Sequence, residues 1–272
     1  MQYLATAAEV EAAYQHEIYR QDDLGSLPAP YYSEPTAWRE VAFLGQSNIQ
    51  GRATGTVSGI PDADVRMWMR SLDAGIVDPS ALSDLDYRDN GGTDYQGPWA
   101  HAQADVLAET HHVLIVTKGG QSLNAWNDTS AGAPRGEQIE ALHRFRACIG
   151  YRPTRSDVVI GLGETDADLG TTKNTYKSSM RTMIQLTREL HGFDARVHLL
   201  TLCDEMTAGS LTQARRDEIN AGVLELADEL PHCHVVDMRA EAGVMLGDNL
   251  HYSATGNTVL WGKILASIEA AP

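Results

Sequence analysis

The strongest constraint on the fold is a recurrence. From residue 40 almost to the C-terminus, short apolar runs alternate with longer segments of helical period. EVAFLG (40–45), VRMWM (65–69), HVLIVTK (112–118), DVVIGLG (157–163), RVHLLTL (196–202) and HVVDM (234–238) read as strands, and several are continuously apolar, as strands covered on both faces are. Between them lie helical patterns. Pro98 can open a helix in PWAHAQADVLAE, and GEQIEALHRFRACIG carries apolar residues at helical spacing. TYKSSMRTMIQLTRELHG aligns Tyr176, Met180, Met183, Ile184, Thr187 and Leu190 along one side and stops at Gly192. TQARRDEINAGVLELADEL and TGNTVLWGKILASI complete the set. Strand, helix, strand repeated in this way predicts one parallel sheet with right-handed crossovers, a three-layer α/β/α sandwich.

Two segments stand outside that pattern. Near the start, Thr6 and Glu9 form a capping box, and Val10, Tyr14 and Ile18 share a face, so a helix is expected over about 6–22. The proline-rich 25–35 then connects it onward, which makes 1–36 an N-terminal helical extension and linker and 37–272 the main domain. The extra helix packs on its own domain or on another subunit. Residues 71–97, rich in Gly, Asp and Ser, read as a long surface excursion at the rim of a site.

Composition narrows the function classes. At 272 residues with 43% hydrophobic content the chain can bury a full core, yet no apolar run approaches the roughly 18 residues of a membrane span. The N-terminus carries acidic residues where a signal peptide needs an apolar core, so the expectation is a cytoplasmic protein or one released by another route. A net charge of −16 with no Lys/Arg-rich run argues against nonspecific nucleic-acid binding. Cys148, Cys203 and Cys233 form no CxxC pair and read as isolated thiols. The histidines of HCH (232–234) and the pair His111-His112 offer two ligands each without a close third, too few for zinc, and no metal or cofactor is expected. His232 and His234 should point to one strand face. GLGETD lacks the third glycine and the lysine of a nucleotide loop.

In an open parallel sheet ligands bind outside the carboxyl ends of the strands, and four polar groups fall there. They are Gly45-Gln46-Ser47-Asn48, Gly119-Gly120-Gln121-Ser122, Gly163-Glu164-Thr165-Asp166 and Asp248-Asn249-Leu250-His251. A serine becomes a nucleophile only when a base takes its proton, and an imidazole serves best when an acceptor orients its other nitrogen. Asp248 and His251, three residues apart before the last helix, can supply both to Ser47. The Ser47 and Gly120 backbone N–H groups are candidate oxyanion donors. Taken alone, Ser47 reads more readily as a helix cap; the joint placement favours the nucleophile. Asp166 and Asp168 either supplement a carbohydrate rim or solvate a loop. Trp126 is the favoured aromatic contact for a sugar ring, while Trp68 and Trp99 are assigned to the core.

GQSNIQG, GGQSLNAW, GLGETDA and DNLHYSATG match in order the sequence blocks of the SGNH hydrolases, and resemble most the sialate O-acetylesterase and acetylxylan esterase branch, over roughly residues 40–268. The resemblance implies a flavodoxin-like five-stranded parallel sheet, no metal, and a catalytic triad of Ser47, His251 and Asp248. It also implies an oxyanion hole of Ser47 and Gly120. Gln46, Asn48, Gln121, Asn124, Trp126 and Glu164 then become candidate substrate contacts, with Glu164 also able to fix the loops. The third block departs from the family, where a glutamine or asparagine completes the hole. Here the positions are Leu162 and Thr165. Thr165, Asn124 or Gln121 takes the amide's place, or the hole works with fewer donors, or the protein has drifted toward binding. The implied function is a serine esterase removing acetyl groups from a carbohydrate. A non-catalytic carbohydrate-binding protein and a metal-dependent phosphoesterase are the competing readings. An esterase with no signal peptide and a helical extension fits intracellular sugar metabolism or a phage particle, the extension then mediating homo-oligomer or virion assembly. Substrate choice would lie in the loops 52–64, 71–97 and 121–137.

Overall fold

A computed structural model of the chain describes residues 39–50, 65–71, 111–128, 133–149 and 153–271. The expected N-terminal helix, the helix opened by Pro98, Trp99, loop 52–64 and most of the excursion 71–97 lie outside the described residues. Each apolar run forms a strand: β1 Arg39–Gly45, β2 Val65–Ser71, β3 His111–Thr117, β4 Arg155–Gly161, β5 Arg196–Leu200 and β6 Cys233–Val236. Among the described residues the helices are α1 Ser47–Gln50, α2 Leu123–Trp126, α3 Pro134–Ile149, α4 Glu164–Asp168, α5 Lys173–His191, α6 Gln213–Glu229 and α7 Ala254–Ala270.

Every strand pair is parallel, and the order across the sheet is β2-β3-β1-β4-β5-β6. The run β3-β1-β4-β5-β6 reproduces the flavodoxin-like order of five, and β2 at the β3 edge makes the full sheet one strand wider. Helices cover both faces, giving the expected α/β sandwich. Central β1 is apolar from Val41 to Leu44 because both its faces are covered: these four residues have no solvent exposure. On one face Phe43 meets Trp261 of α7 edge to face, ring centroids 5.7 Å apart. α5 buries Tyr176, Met180, Met183, Ile184 and Thr187, the stripe expected from its spacing, with Leu190 packed at the margin of the core. Thr172, Thr212 and Ser253 cap α5, α6 and α7, each side chain accepting an N–H of the first turn.

The two ends of the sheet differ in chemistry. At the amino ends of the strands, buried Asp157 accepts from Arg39 Nε at 2.6 Å and from His198 Nε2 at 3.0 Å, and also pairs with Arg196. Beside it, Glu40 takes both arms of Arg146 at 2.9 and 3.0 Å and the His191 ring at 2.6 Å. Burial alone would raise the Glu40 pKa, but His191 and Arg146 outweigh it and bring the carboxyl down to about 2. Arg155 and Arg196 also hold the Ala271 carbonyl at this end, so the chain terminus is tied to the sheet.

At the carboxyl ends, register partners Gly45 and Gly161 leave a bare patch on which the Ile49 side chain lies. A Cβ on Gly45 would come within 2.5 Å of Ile49 Cγ1 and 2.6 Å of the Gly161 carbonyl oxygen, and one on Gly161 within 2.6 Å of Ile49 Cδ1. The missing side chains let α1 sit directly against the sheet, and that fixes where Ser47 stands.

Candidate active site

The four polar loops meet at this end. Gln46 N–H donates to the Gly161 carbonyl at 3.2 Å and Lys118 N–H to the Gly45 carbonyl at 2.9 Å, so the exits of β1, β3 and β4 are stitched together. Ser47 opens α1, where its N–H has no partner within the helix. Its hydroxyl lies 2.8 Å from His251 Nε2. The other ring nitrogen, His251 Nδ1, lies 2.6 Å from Asp248 Oδ2.

Asp248 Oδ1 accepts the N–H groups of Leu250 and His251, both at 3.0 Å. Burial would push the Asp248 carboxyl up, but the His251 and Leu250 hydrogen bonds prevail and hold it at about 2. Asp248 is therefore ionised at neutral pH and can only accept, so Nδ1 carries the imidazole proton. Nε2 is left with its lone pair toward the Ser47 hydroxyl.

The Asp248–His251 turn is rigidly framed. Leu246 N–H donates to the His251 carbonyl at 2.7 Å, Ser253 N–H to the Val244 carbonyl at 2.8 Å, and Met245 and Tyr252 form an antiparallel bridge. Asn249 takes a left-handed conformation, φ 53°, which suits an asparagine in a tight turn. From the β5–α6 loop, Thr207 N–H reaches the Asn249 carbonyl at 3.0 Å, and Glu205 accepts from Gly243 and Val244 at 2.8 and 3.1 Å.

Gln46 and Asn48, expected as substrate contacts, are instead buried supports, and Glu164 takes the loop-fixing role expected beside its contact role. Gln46, Asn48 and Glu164 are only 2%, 4% and 9% exposed. Glu164 accepts from Gln46 Nε2 at 3.1 Å and Asn48 Nδ2 at 3.0 Å, so it grips the residues on both sides of Ser47. Burial raises the Glu164 pKa, partly countered by its hydrogen bonds. Thr165 donates its one hydroxyl hydrogen to Gln46 Oε1 at 2.7 Å, which corrects its expected role as an oxyanion donor. Trp126 has no exposure and belongs to the core: it closes α2, which buries it together with Leu123, while the side chain of Trp68 lies outside the described residues. Asn124 leans toward α5, its Oδ1 accepting from Ser179 at 3.3 Å, and Gln121 Nε2 donates to the nearby Gly119 carbonyl at 3.4 Å. Leu162, at the position of the family's amide, is buried, and its carbonyl accepts from Tyr176 Oη at 2.9 Å.

Gly120 is exposed in the turn after β3 at φ +65°, a conformation that favours glycine. Asp166 holds the following segment in place. It is 5% exposed and accepts the Leu123 N–H at 3.1 and 3.4 Å, so it neither lines a rim nor solvates a loop. Burial raises its pKa, countered in part by that bond. The sequence did hold a signal for it: a second carboxylate two residues after Glu164, facing a Gly-rich segment with N–H groups to satisfy. Asp168, by contrast, is exposed and accepts the Ser210 N–H at 2.7 Å.

His232 sits in the turn before β6 with φ 53°, exposed, while His234 stacks on His198 with ring centroids 5.2 Å apart, so the two do not share a strand face. The side chains of His111 and His112 lie outside the described residues. Among the described residues no three His, Cys, Asp or Glu side chains are grouped as metal ligands would be. Cys203 and Cys233 are buried free thiols, burial lifting the latter to about 11. No described helix is long and apolar enough to cross a membrane.

No protein-family model and no curated protein matches the chain by sequence. Solved structures do match. A protein from Arabidopsis thaliana superposes with a TM-score of 0.61 at 18% identity, over 86% of this chain and 99% of its own. A carbohydrate acetylesterase from Xanthomonas citri gives 0.61 at 15% identity, over 85% of this chain but 56% of its own. A lipolytic protein of the G-D-S-L family from Veillonella parvula gives 0.51 at 12% identity, over 85% and 99%. The chain has the SGNH-hydrolase fold. In that fold the loops carrying Ser47, Gly120, Glu164 and His251 all leave the carboxyl ends of strands, where ligands of parallel sheets bind.

Proposed function

We propose that this SGNH-fold chain is a serine esterase that removes O-acetyl groups from a carbohydrate through an acyl-enzyme on Ser47. The observation that carries the reading is the relay Ser47 Oγ–His251 Nε2–His251 Nδ1–Asp248 Oδ2, with steps of 2.8 and 2.6 Å between side chains from opposite ends of the domain. His251 takes the serine proton as Oγ attacks the acetyl carbonyl. It then returns that proton to the departing sugar alkoxide, and finally activates water to release acetate. Asp248 holds the ring in the productive tautomer and stabilises the imidazolium. The N–H groups of Ser47 and Gly120 would receive the oxyanion. The carbohydrate part of the reading draws support from the Xanthomonas citri protein, described as a carbohydrate acetylesterase.

The test is turnover of 4-nitrophenyl acetate by wild type, Ser47→Ala and His251→Ala, followed by acetate release from acetylated xylan, sialic acid and capsular polysaccharide. Both variants should be inactive while folded. Full activity in Ser47→Ala would sink the assignment. A second reading, a carbohydrate-binding protein without turnover, is favoured by one observation: Leu162 is buried and the Thr165 hydroxyl is engaged, so the third block brings no amide to the hole. Glycan binding without fluorophosphonate labelling of Ser47 would select it.

A further inference from the structure

Asn48 follows the serine directly, yet its side chain is buried, 4% exposed. Its Nδ2 donates to Glu164 Oε1 at 3.0 Å and to the Leu250 carbonyl at 3.1 Å, and its Oδ1 accepts the Tyr252 N–H at 3.0 Å. Leu250 and Tyr252 are the two neighbours of His251. One amide therefore reaches from the residue beside the nucleophile to the residues on both sides of the histidine.

We propose that Asn48 is a positioning residue that sets the Ser47–His251 approach, with Glu164 fixing which way its amide faces. The inference rests on the reading of Ser47 as nucleophile and His251 as base. Its chemistry is specific to an amide. Tyr252 offers a donor, while Leu250 and Glu164 offer acceptors, so the oxygen must face residue 252 and the NH2 the other two. A flipped amide would set N–H against N–H and oxygen against carboxylate. An aspartate of the same shape would direct an acceptor at two acceptors. Glu164, bound also to Gln46 Nε2, ties this bridge to the other neighbour of Ser47. Together with the Ser47–His251 pair, these bonds of Asn48 join the serine and histidine loops through side chains. Both ends are otherwise anchored separately, Ser47 by the seat of Ile49 on the sheet and His251 by its own framed turn.

The experiment compares wild type, Asn48→Ala, Asn48→Asp, Asn48→Asp with Glu164→Gln, and Ser47→Ala, reading kcat and KM on 4-nitrophenyl acetate, the fluorophosphonate labelling rate and thermal melting. A displacement near 1 Å at reacting atoms costs on the order of 100-fold in rate, so Asn48→Ala and Asn48→Asp should lose about that much in kcat and in labelling, with KM changed by less than about 3-fold. Adding Glu164→Gln to Asn48→Asp should recover about 10-fold, since the amide at 164 can donate to the carboxylate at 48. A folded Asn48→Ala with kcat near wild type overturns the proposal, as does a change confined to KM, which would mark a substrate contact. Failure of both single variants to fold also overturns it, leaving Asn48 a structural residue only. Full turnover by Ser47→Ala would instead remove the esterase reading beneath it. An inactive Ser47→Ala beside a fully active Asn48→Ala removes this inference alone.

Discussion

At Asp248 the two carboxylate oxygens do different work: Oδ1 closes the turn by taking two backbone N–H groups, and Oδ2 takes the His251 ring proton. Asp248→Asn separates these jobs. The asparagine oxygen can still close the turn, but its NH2 then faces Nδ1, which must become the acceptor, and the proton moves to Nε2, where it blocks the approach of the serine hydroxyl. Turnover of an aryl acetate should fall on the order of 10⁴-fold with the melting temperature nearly unchanged. That Ser47, His251 and Asp248 come together was readable at this scale, because few serine, histidine and aspartate side chains remain as alternatives once their loops are placed at one end of the sheet. Which polar residues face the cleft was not. Asn48 and Gln46 look like substrate contacts in a linear string, yet their hydrogen bonds turn inward onto Glu164, whose loop-fixing role was legible; inward or outward is decided by backbone angles that residue type does not encode. Trp126 turns inward for the same reason, a large aromatic on the short helix α2 being as able to fill the core as to line a groove.

Among the elements, the strands and the long helices announced themselves, and the short helices α2 and α4 did not. α5 follows from its apolar stripe, its Thr172 cap and the stop at Gly192, and the six strands follow from apolar runs between polar turns. α4, five residues long, was read as part of a loop, because GETDAD has no apolar period and forms its helix from the turn after Gly163, at φ +143°. Strand order was out of reach of the apolar pattern, since it depends on which crossovers pass over which face; the order of five came from the flavodoxin-like sheet that the family resemblance implied, and the edge strand β2 did not. The seat of α1 gives a test at this scale. Gly161→Ala forces the new methyl into Ile49, and should cost about 1–3 kcal/mol by urea denaturation. Ile49→Ala should cost about 2–5 kcal/mol through the cavity it leaves. The double variant should cost less than the sum by more than about 0.5 kcal/mol, because the methyl added at 161 enters space the shorter side chain vacates. Strict additivity would show that Ile49 does not rest on the glycine pair.

Across the whole molecule, stability and reactivity are placed at opposite ends of the same strands. The Asp157 cluster should be the more sensitive to deletion: Asp157→Ala leaves Arg39 and Arg196 buried without their counter-charge, and should lower stability by roughly 3–5 kcal/mol in denaturant melts. Acid should act through Glu40. Its folded value near 2 lies below the ordinary 4.5, so between those values the unfolded state holds the extra proton. The Glu40 contribution is therefore complete above about pH 4.5 and is lost as pH falls toward 2. Urea midpoints should drop steeply through that window in wild type and more gently in Glu40→Gln, which starts less stable at pH 7. A slope unchanged in the variant would assign the acid sensitivity elsewhere. β1, seven residues long, separates the two ends by about 20 Å, well past the range at which substitutions couple. For an engineer the sheet thus behaves as an instrument with two independent dials. A library drawn from Arg39, Asp157, Arg196 and His198 would sort variants by heat tolerance at constant turnover, and one drawn from the more open positions Gln121 and Asn124, away from the Ile49 seat, would sort them by turnover at constant heat tolerance.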